Sequence, residues 1–413
     1  MTPDRDRSRP SRRRQPRQVF PFLQLIAVAV VLVAVFVLIL LMRPEAQPDP
    51  TETTGRTWAP TPTTVIHIAA AGDLNVTDNL LEQAQTPTGY DFTSMFMEVA
   101  PALSGADLTM LNFEGTMVGA PYGGESTSAP PELVQALTGM GVDLVQTANS
   151  ASIRSGVSGL QSTIVNLHNA GLAPVGTFGD NDAFRRSGGY TMVEVQGIRI
   201  AVIGFTKGMD NLGLPENSLD CVNLLYEDYT TDYKKVNKEK ISQILSTVAA
   251  QEPDLTIAML HWGSEYNENL SATQKSIAAQ MLEGGVDVIL GSHSHLLNKI
   301  EYDESKGTLV AWSLGDFCGD AVEAGTNYSV VLDLEVTMDN ETGQTSVTDW
   351  SVTPIATLRP EQSIQGGHRV VLLDGAIARY ENKYVGSVTE DVYNSLIHAR
   401  KRVDERIAGD EKE

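Results

Sequence analysis

Short apolar runs alternate with helix-length amphipathic stretches along most of the chain, beginning at Thr63. Four junctions share one order, in which a Gly or Pro precedes an Asp and an apolar run follows. The Gly or Pro ends a helix and the Asp turns the chain into a strand. Apolar strands that alternate with helices are typical of an α/β fold whose sheet is covered on both faces. The four junctions are "SGADLTML" (104–111), "MGVDLVQT" (140–147), "QEPDLTIAML" (251–260) and "GGVDVILG" (284–291).

Other parts of the chain show different patterns. Residues 189–205 and 328–352 predict β-hairpins, the second with its turn at "DNETG". The stretch "SATQ" (271–274) carries the Ser and Gln of a capping box and predicts the start of a helix. Residues 208–236 have no regular period and are interpreted as an insertion, whereas residues 359–413 are interpreted as a charged, helical C-terminal tail.

One apolar stretch near the N-terminus, residues 21–42, carries no charge. About 20 apolar residues cross the hydrocarbon core of a bilayer as a helix, so this stretch predicts a single membrane anchor. Seven arginines precede it, which predicts that residues 1–20 form a basic tail in the cytoplasm and that the rest of the chain lies outside the membrane. Residues 43–62 are rich in Pro and Thr and predict a linker to a domain at 63–358.

The net charge of −22 is unevenly distributed along the chain. Residues 1–43 carry a formal charge of +6, so the remainder carries −28. Such an acidic surface disfavours nucleic acid as a partner and repels an anionic polymer at long range. The two cysteines, Cys221 and Cys318, are compatible with one disulfide outside the cytoplasm, but their number alone does not establish it.

Five of the predicted strands end on side chains that bind divalent metal ions. Ligands of open α/β sheets bind at the carboxyl ends of the strands, and carboxylate, amide and imidazole groups suit divalent metals. In the His-x-His pair of "GSHSH", residues two apart share a face as long as the strand stays extended. The pattern predicts a metal site formed by Asp73, Glu114, Asn149, His261, His293 and His295.

The charges of this predicted site favour bound cations. Asp73 and Glu114 would repel each other in a dry cleft, and one of them would take up a proton unless a cation lay between them. Two divalent ions would leave the site with a net charge of about +2, which suits a phosphate or carboxylate substrate. The sequence does not distinguish Mn, Fe, Zn and Mg.

The other four of the seven histidines are interpreted as structural. His67 lies in the middle of a predicted strand and is expected to be a satisfied core residue. The remaining three lie on helices or loops and are expected at the surface: His168, His368 and His398.

Several segments resemble motifs of the CapA family, which is named for capsule and poly-γ-glutamate synthesis proteins and belongs to the metallo-dependent phosphatase superfamily. The resemblance runs from about Thr64 to Phe317. It implies a metallophosphatase-like β-sandwich flanked by helices, here preceded by the membrane helix, and it makes the six residues of the predicted site metal-site positions. The segments are "AAAGDLN", "LNFEGTMVG", "TANSASIRSG", "MLHWGSEY", "VILGSHSHLLNKIE" and "SLGDF".

The segment "TANSASIRSG" (147–156) departs from the family pattern of Ala-Asn-Asn-His, two residues, Asp, one residue and Gly. Ser150, Ala151 and Arg154 stand where that pattern has its second Asn, its His and its Asp. In related phosphatases the His stabilises or protonates the reacting phosphate, so the resemblance implies a site that binds metal but is catalytically weakened or altered. Arg154 either holds a phosphate or carboxylate of the substrate with its guanidinium or is a surface residue on a turn.

The sequence therefore predicts a membrane-anchored, extracytoplasmic CapA-like protein of envelope-polymer synthesis. Two versions of its function remain. In the first it is a metal-dependent phosphoesterase, which the six retained ligand-type residues favour. In the second it is a catalytically inactive scaffold that tethers polymer or synthase partners at the membrane, which the replaced His favours.

Overall fold

A computed structural model describes residues 62–362, 366–384 and 386–407, and the chain from Pro60 to Glu413 forms one compact unit. The predicted cytoplasmic tail, the membrane anchor and nearly all of the linker, residues 1–61, lie outside the described residues. Within the described ranges, no helix combines the length and the apolar composition needed to span a bilayer.

Most apolar runs of the sequence become strands, and most amphipathic stretches become helices. In the described residues the strands are β1 (Thr63–Leu74), β2 (Gln85–Thr86), β3 (Gly89–Tyr90), β4 (Leu108–Phe113), β5 (Leu144–Gln146), β6 (Ala173–Val175), β7 (Thr191–Val195), β8 (Ile198–Thr206), β9 (Leu255–His261), β10 (Val288–Ser292), β11 (Ile300–Asp303), β12 (Thr308–Ala311), β13 (Asp316–Cys318), β14 (Tyr328–Asp339), β15 (Thr345–Leu358) and β16 (Arg369–Leu372). The α-helices are α1 (Asp78–Ala84), α2 (Thr93–Phe96), α3 (Ala100–Ser104), α4 (Leu133–Gly139), α5 (Gly156–Asn169), α6 (Asn181–Ser187), α7 (Lys238–Ala249), α8 (Ala272–Glu283), α9 (Leu373–Glu381) and α10 (Glu390–Ile407). The predicted capping box at the start of α8 is confirmed.

Two large sheets contain nearly all of these strands. The larger sheet has the order β16-β15-β14-β1-β4-β5-β6, with β13 pairing with β1, and the second has the order β11-β12-β10-β9-β8-β7. In the larger sheet β1, β4, β5 and β6 run parallel, and in the second β8, β9, β10 and β12 run parallel. Both predicted hairpins are confirmed, as β7–β8 and β14–β15.

The Asp that recurs at the four helix-to-strand junctions joins each new strand to its neighbour. Each Asp donates its N–H to a carbonyl of the neighbouring strand, and its carboxylate accepts the N–H of that same residue, at 2.7–2.9 Å. This two-point contact aligns the first residues of each strand and explains why the residue is Asp at every junction. The pairs are Asp107 with His67, Asp143 with Thr109, Asp254 with Arg199, and Asp287 with Thr256.

The two sheets pack face to face, and helices cover their outer faces. Apolar side chains of both sheets, such as Ile68 of β1 and Ile257 of β9, belong to one buried cluster. Helices α1 to α4 bury Leu80 and Leu133 with side chains of the larger sheet, and helices α7 and α8 bury their apolar faces against the second sheet. The predicted mixed α/β fold, a sandwich flanked by helices, is confirmed.

The segment from residue 359 onward, interpreted from its sequence as a helical tail, contributes a strand and two helices to this body. Strand β16 pairs antiparallel with β15. Leu373 of α9 and Leu396 and Val403 of α10 are buried in the cluster that the two sheets share. This packing settles the question, left open by the sequence, of whether the segment extends away from the domain.

Two expectations about histidines are wrong. His67 is not in the core. Its side chain on β1 is 47% exposed, and its Nδ1 pairs with Asp333 at 2.9 Å. His368 is not at the surface, because it immediately precedes β16 and is buried. His168 and His398 are exposed, as expected. Both cysteines are buried free thiols.

Candidate metal centre

The carboxyl ends of strands from both sheets meet at one edge of the sandwich. The larger sheet contributes Asp73 near the end of β1, Glu114 after β4 and Asn149 after β5. The second sheet contributes His261, the last residue of β9, and the loop after β10. That loop carries the two other imidazoles, His293 and His295. The backbone N–H of His293 donates to Asp73 Oδ2 at 3.0 Å and so joins the two edges directly.

Five of the six predicted ligand residues fall into two groups that share one member. The first group contains Asp73, Glu114 and His295, and the second contains Glu114, His261 and His293. Within each group one ligand atom from every residue lies within 4.8 Å of the others, and all five residues are buried. Glu114 therefore lies between the two groups.

The second group is the tighter of the two. His261 Nε2 lies 3.3 Å from Glu114 Oε1 and 2.9 Å from the Ser150 hydroxyl, which lies 3.5 Å from His293 Nδ1. Atoms that bind one small cation at about 2.0–2.2 Å lie roughly 3–3.5 Å from one another. The contacts within this group have that spacing.

In the first group, a carboxylate that the sequence analysis did not name as a ligand contacts the imidazole. Asp316 Oδ1 lies 2.7 Å from His295 Nδ1. His295 Nδ1 lies 3.8 Å from Asp73 Oδ2, and its Nε2 lies 3.9 Å from Glu114 Oε2. Three carboxylates therefore surround one imidazole.

Side-chain amides and one hydroxyl orient the ligands from outside. Asn112 donates to Asp73 Oδ1 at 2.6 Å, and the amide of Asn149 donates to Asn112 Oδ1 at 2.9 Å and to the carbonyl of Phe113 at 2.6 Å. On the other side, the Ser292 hydroxyl lies 3.0 Å from His261 Nδ1. These contacts leave Asp73 Oδ2 and His261 Nε2 directed at the centre.

The backbone of the His-x-His segment differs from the sequence expectation. The pair was expected on an extended strand, but β10 ends at Ser292. His293 has φ 88° and His295 has φ 60°. Non-glycine residues with positive φ are uncommon and cluster at functional sites, where the surrounding structure holds them in place. A tight loop, and not the strand period, directs both imidazoles at the carboxylates.

Glycine at position 72 allows strand β1 to lie close to the backbone at Gly315. A Cβ at this position would lie 1.8 Å from the carbonyl oxygen of Gly315. The approach allows β1 to pair in parallel with β13, with Asp73 opposite Asp316. The short strand β13 thereby brings a further carboxylate to the edge.

Burial and neighbouring charges shift the pKa values of Asp73 and Glu114 in opposite directions. Burial raises the pKa of Asp73, and the charge of Glu114 raises it further. Burial also works to raise the pKa of Glu114, but the charge and the hydrogen bond of His261 outweigh it, so the pKa lies well below its usual range. The ionised Glu114 is therefore the fixed negative charge of the centre.

The imidazoles are perturbed in opposite directions too. Burial lowers the pKa of His293 well below its usual range, and the neighbouring His261 contributes to this. Burial also works to lower the pKa of His295, but its hydrogen bond to Asp316 and the charges of the surrounding carboxylates raise it to about 10. His293 is thus a neutral imidazole in the second group, whereas the proton on His295 balances the carboxylates of the first group.

This donor set fits divalent cations. Buried carboxylates and imidazoles at ligand spacing, held from behind by amide and hydroxyl groups, are the arrangement that metal sites in proteins share. A buried like-charged pair such as Asp73 and Glu114 is costly without a positive charge between its members. Buried carboxylate and histidine clusters here are therefore able to hold metal.

Comparison with known proteins places this arrangement in a family. The family model described as bacterial capsule synthesis protein PGA_cap matches residues 67–321, which include every residue of both groups. The chain belongs to this family.

Among relatives of this PGA_cap protein, the PGA biosynthesis protein CapA of Bacillus subtilis (strain 168) is 25% identical over 293 residues, which cover 69% of this chain and 71% of that protein. The capsule biosynthesis protein CapA of Bacillus anthracis is 27% identical over 238 residues, covering 56% and 55%. The chain thus spans about half the length of the latter relative. The crystal structure of calcineurin-like phosphoesterase YfkN from Bacillus subtilis is similar with a TM-score of 0.44 and 17% identity, over 83% of this chain and 98% of that one.

In this PGA_cap domain, the segment after β5 places two neighbouring polar side chains in different contacts. Asn149, whose role as a metal ligand stays a prediction, accepts the N–H of Ala151 with its Oδ1 at 3.1 Å, and its amide nitrogen is bonded to the larger sheet. It is the hydroxyl of Ser150 that contacts the two imidazoles of the second group. The sequence analysis noted Ser150 only as a replacement, because its direction depends on the turn that follows β5.

A cleft of about 510 Å³ opens onto the first group. Ala151 and Arg154 line it together with Glu114 and His295. The guanidinium of Arg154 is already paired with Asp210. Ala151 offers the cleft only a methyl group, so position 151 has no group that transfers a proton. The charged side chains in the rest of the wall are all acidic: Asp78, Glu265, Asp316, Asp320 and Glu323.

Two further residues of the site were missed by the sequence analysis. Asp316 was quoted within "SLGDF" but not proposed as a ligand, because β13 is a three-residue strand without a detectable period. Ser292 directly precedes His293, and its role depends on the direction of its hydroxyl towards His261. A carboxylate in a short apolar segment between two hairpins is the signal that would have pointed to Asp316.

Proposed function

We propose that the protein takes part in the synthesis of a capsule or poly-γ-glutamate polymer and that its buried centre holds two divalent cations, with Glu114 a member of both ligand groups. Membership of the PGA_cap family and the similarity to the two CapA relatives support the first part. The observation that carries the second part is that the two ligand groups share Glu114. The cations are of the class Mn, Fe, Zn or Mg.

Each of the two ligand groups would hold one of these cations. Asp73, Glu114 and His295 would hold one cation, and Glu114, His261 and His293 would hold the other. The Ser150 hydroxyl lies within reach of the second position. When bound, such cations supply Lewis-acid polarisation of a phosphoryl or related oxygen. Asn112 and Ser292 keep the ligands in position, and the cleft beside Ala151 admits the substrate.

The protein is an enzyme of reduced power in this proposal. Its substrate class is a phosphate ester or a related bond of the cell envelope. A positioned general acid contributes roughly 10²–10⁴ in rate, and the methyl group of Ala151 contributes none of it. Turnover of a substrate with a good leaving group depends least on that proton and is therefore retained.

A second function, that of a scaffold without turnover, is favoured by the same residue. Ala151 is buried and the cleft beside it is predominantly acidic. In this version the cations stabilise the edge where the two sheets meet, and the surface contacts polymer or synthase partners. The two functions differ in turnover but not in metal content.

The location of the protein is part of the proposal. The apolar stretch at 21–42 and the arginines that precede it support a single-pass membrane protein with residues 1–20 in the cytoplasm and the domain outside. Protease added to intact cells should digest the domain and spare a tag on the N-terminus. A domain that resists the protease until the cells are lysed would contradict this orientation.

The decisive test is the metal content of the full-length chain, purified in detergent and loaded with Mn²⁺. We expect about two ions per chain, as in two-cation sites, and about one ion in His261→Ala because only one group loses a ligand. His168→Ala, on an exposed imidazole, serves as the control and should retain the wild-type content. Wild-type protein without bound metal would contradict the proposal. With metal bound, turnover of an activated aryl phosphate supports the enzyme, and its absence supports the scaffold.

A further inference from the structure

A second recess, of about 230 Å³, adjoins the ligands and shares Glu265 with the acidic cleft. Ser150 and His293 of the metal centre form part of its wall. The opposite wall comes from the segment after β8, with Lys207 and Asp210, and from Tyr233 of the irregular stretch 208–236. The recess therefore lies between the metal centre and the irregular stretch 208–236, for which the sequence suggested no function.

Lys207 is held rigidly at the base of this recess. Its backbone N–H donates to the carbonyl of His261 at 2.8 Å, so its position depends on that of a ligand residue. The ammonium group donates to the carbonyl of Gly263 at 2.9 Å and lies 4.5 Å from the centre of the Tyr233 ring. Two neighbours thus hold a side chain that is flexible in most proteins, and a third holds its backbone.

No ion pair joins the ammonium group of Lys207 to a carboxylate in the part of the chain that the structure describes, although Asp210 and Glu265 line the same recess and their charges act on it. Its one hydrogen bond there is to a neutral carbonyl, although lysine has three N–H donors. Asp210 is paired with Arg154, and Glu265 is exposed to solvent. A partly buried ammonium group with unused N–H donors beside a ligand-binding centre indicates a position that an anionic group completes.

We propose that this recess binds an anionic group, a carboxylate or a phosphate, of the ligand that occupies the metal centre, with Lys207 as its counter-charge. The inference rests on the proposed function, because it takes the ligand to lie across the centre. The ligand then places its anionic group beside Lys207, while its remaining part faces the acidic cleft. The contact with Lys207 then orients the ligand across the centre.

The proposal is tested by the affinity of the full-length protein for two probes, inorganic phosphate and a γ-linked diglutamate, measured by calorimetry with and without Mn²⁺. A charge-assisted hydrogen bond contributes enough that Lys207→Gln should weaken the binding of at least one probe about tenfold or more. Lys207→Arg should retain most of the affinity. Lys306→Gln removes an exposed lysine that pairs with Asp303 and should change nothing.

The two probes distinguish the sources of the anion. Weakened binding of phosphate alone assigns a phosphate group to the recess, weakened binding of the diglutamate alone assigns a carboxylate, and both results support the proposal. Equal affinity of wild type and Lys207→Gln for both probes overturns it. The metal content of each variant separates this outcome from failure of the proposed function, in which the wild type itself would bind no metal.

A second variant keeps the proposal testable if Lys207→Gln does not fold. Asp210→Asn removes the negative charge of the same recess and releases Arg154, so it should tighten binding of the responsive probe severalfold. Unchanged or weaker binding in Asp210→Asn would contradict an anion at this position. Thermal unfolding of each variant reports whether its fold is intact.

Discussion

The two sheet edges that form the centre carry different chemistry. The larger sheet contributes carboxylates, Asp73 and Glu114, held by amide groups. The second sheet contributes imidazoles, such as His261, held by a hydroxyl and by Asp316. On one edge the like charges of the carboxylates repel each other, whereas the imidazoles compete for protons on the other. The difference shows that neither edge alone supplies a complete ligand group and that both groups form only where the two edges meet.

Only Glu114 belongs to both ligand groups, so it is the residue whose loss should have the largest effect. Glu114→Gln removes the negative charge that both groups share and replaces one ligand oxygen with an amide nitrogen that binds no metal, and we expect its Mn²⁺ content to fall from about two ions to nearly none. Elemental analysis of the purified variant measures this. Glu265→Gln, a neighbouring carboxylate of the same cleft outside both groups, is the matched control. A Glu114→Gln protein that retains one ion would show that the groups bind independently.

The residues that orient the ligands should act on one group each. Ser292→Ala removes the contact to His261 Nδ1 and should weaken one Mn²⁺ site by about 10–100-fold, a typical effect of such partners. Asp316→Asn should weaken the other site through His295. Calorimetric titration resolves the two sites. The control is Ser294→Ala, because the Ser294 hydroxyl contacts Leu296 and Ser313. A loss at both sites in Ser292→Ala would contradict the division into two ligand groups.

The segment at residue 151 tests whether the larger sheet's edge lacks a proton donor. Ala151→His places an imidazole at the cleft and should raise turnover of an activated aryl phosphate about tenfold or more, because a general acid contributes at least that much. Steady-state kinetics in Mn²⁺ measure the change. Ala151→Gln has a similar volume but no titratable group and should leave turnover near the wild-type value. An equal rise in both variants would assign the effect to packing.

The smallest effect concerns the Asp residues that join the strands. Burial raises the pKa of Asp287, in the second sheet, from 3.8 to about 6. A carboxylic acid with a raised pKa in the folded state stabilises it less as pH rises from 3.8 to 6, because the unfolded chain ionises first. Asp287→Asn keeps an oxygen that accepts the N–H of Thr256. The variant should therefore gain about 1–3 kcal/mol of stability relative to wild type between pH 4 and pH 7.

Urea unfolding at several pH values measures this gain. The corresponding change in the larger sheet is Asp143→Asn, at a more exposed residue whose pKa burial also raises. Its gain should follow the same direction with a smaller size. A gain in Asp287→Asn that is constant from pH 4 to pH 8 would show that the ionisation of this carboxyl is not its cause.

Much of the fold follows from local patterns in the sequence. Runs of apolar residues predicted the central strands of both sheets but not β13 or β16, and the Gly–Asp junctions located where helices end and strands begin. The strand ends predicted five of the residues that converge in the two ligand groups. Local patterns failed where direction depends on distant neighbours: the Ser150 hydroxyl contacts two imidazoles, and Asp316 arrives on a strand of three residues.

By itself the sequence determined which side chains stand at the strand ends, because hydrophobic period, helix caps and turn residues act over a few positions of the chain. The tertiary structure decided which of them meet. Asp73 and the backbone of His293 are 220 positions apart, and only the packing of one sheet on the other brings them to 3.0 Å. The positive φ angles of His293 and His295 are likewise held by the surrounding structure, since such angles are uncommon in non-glycine residues even though histidine adopts them more often than most.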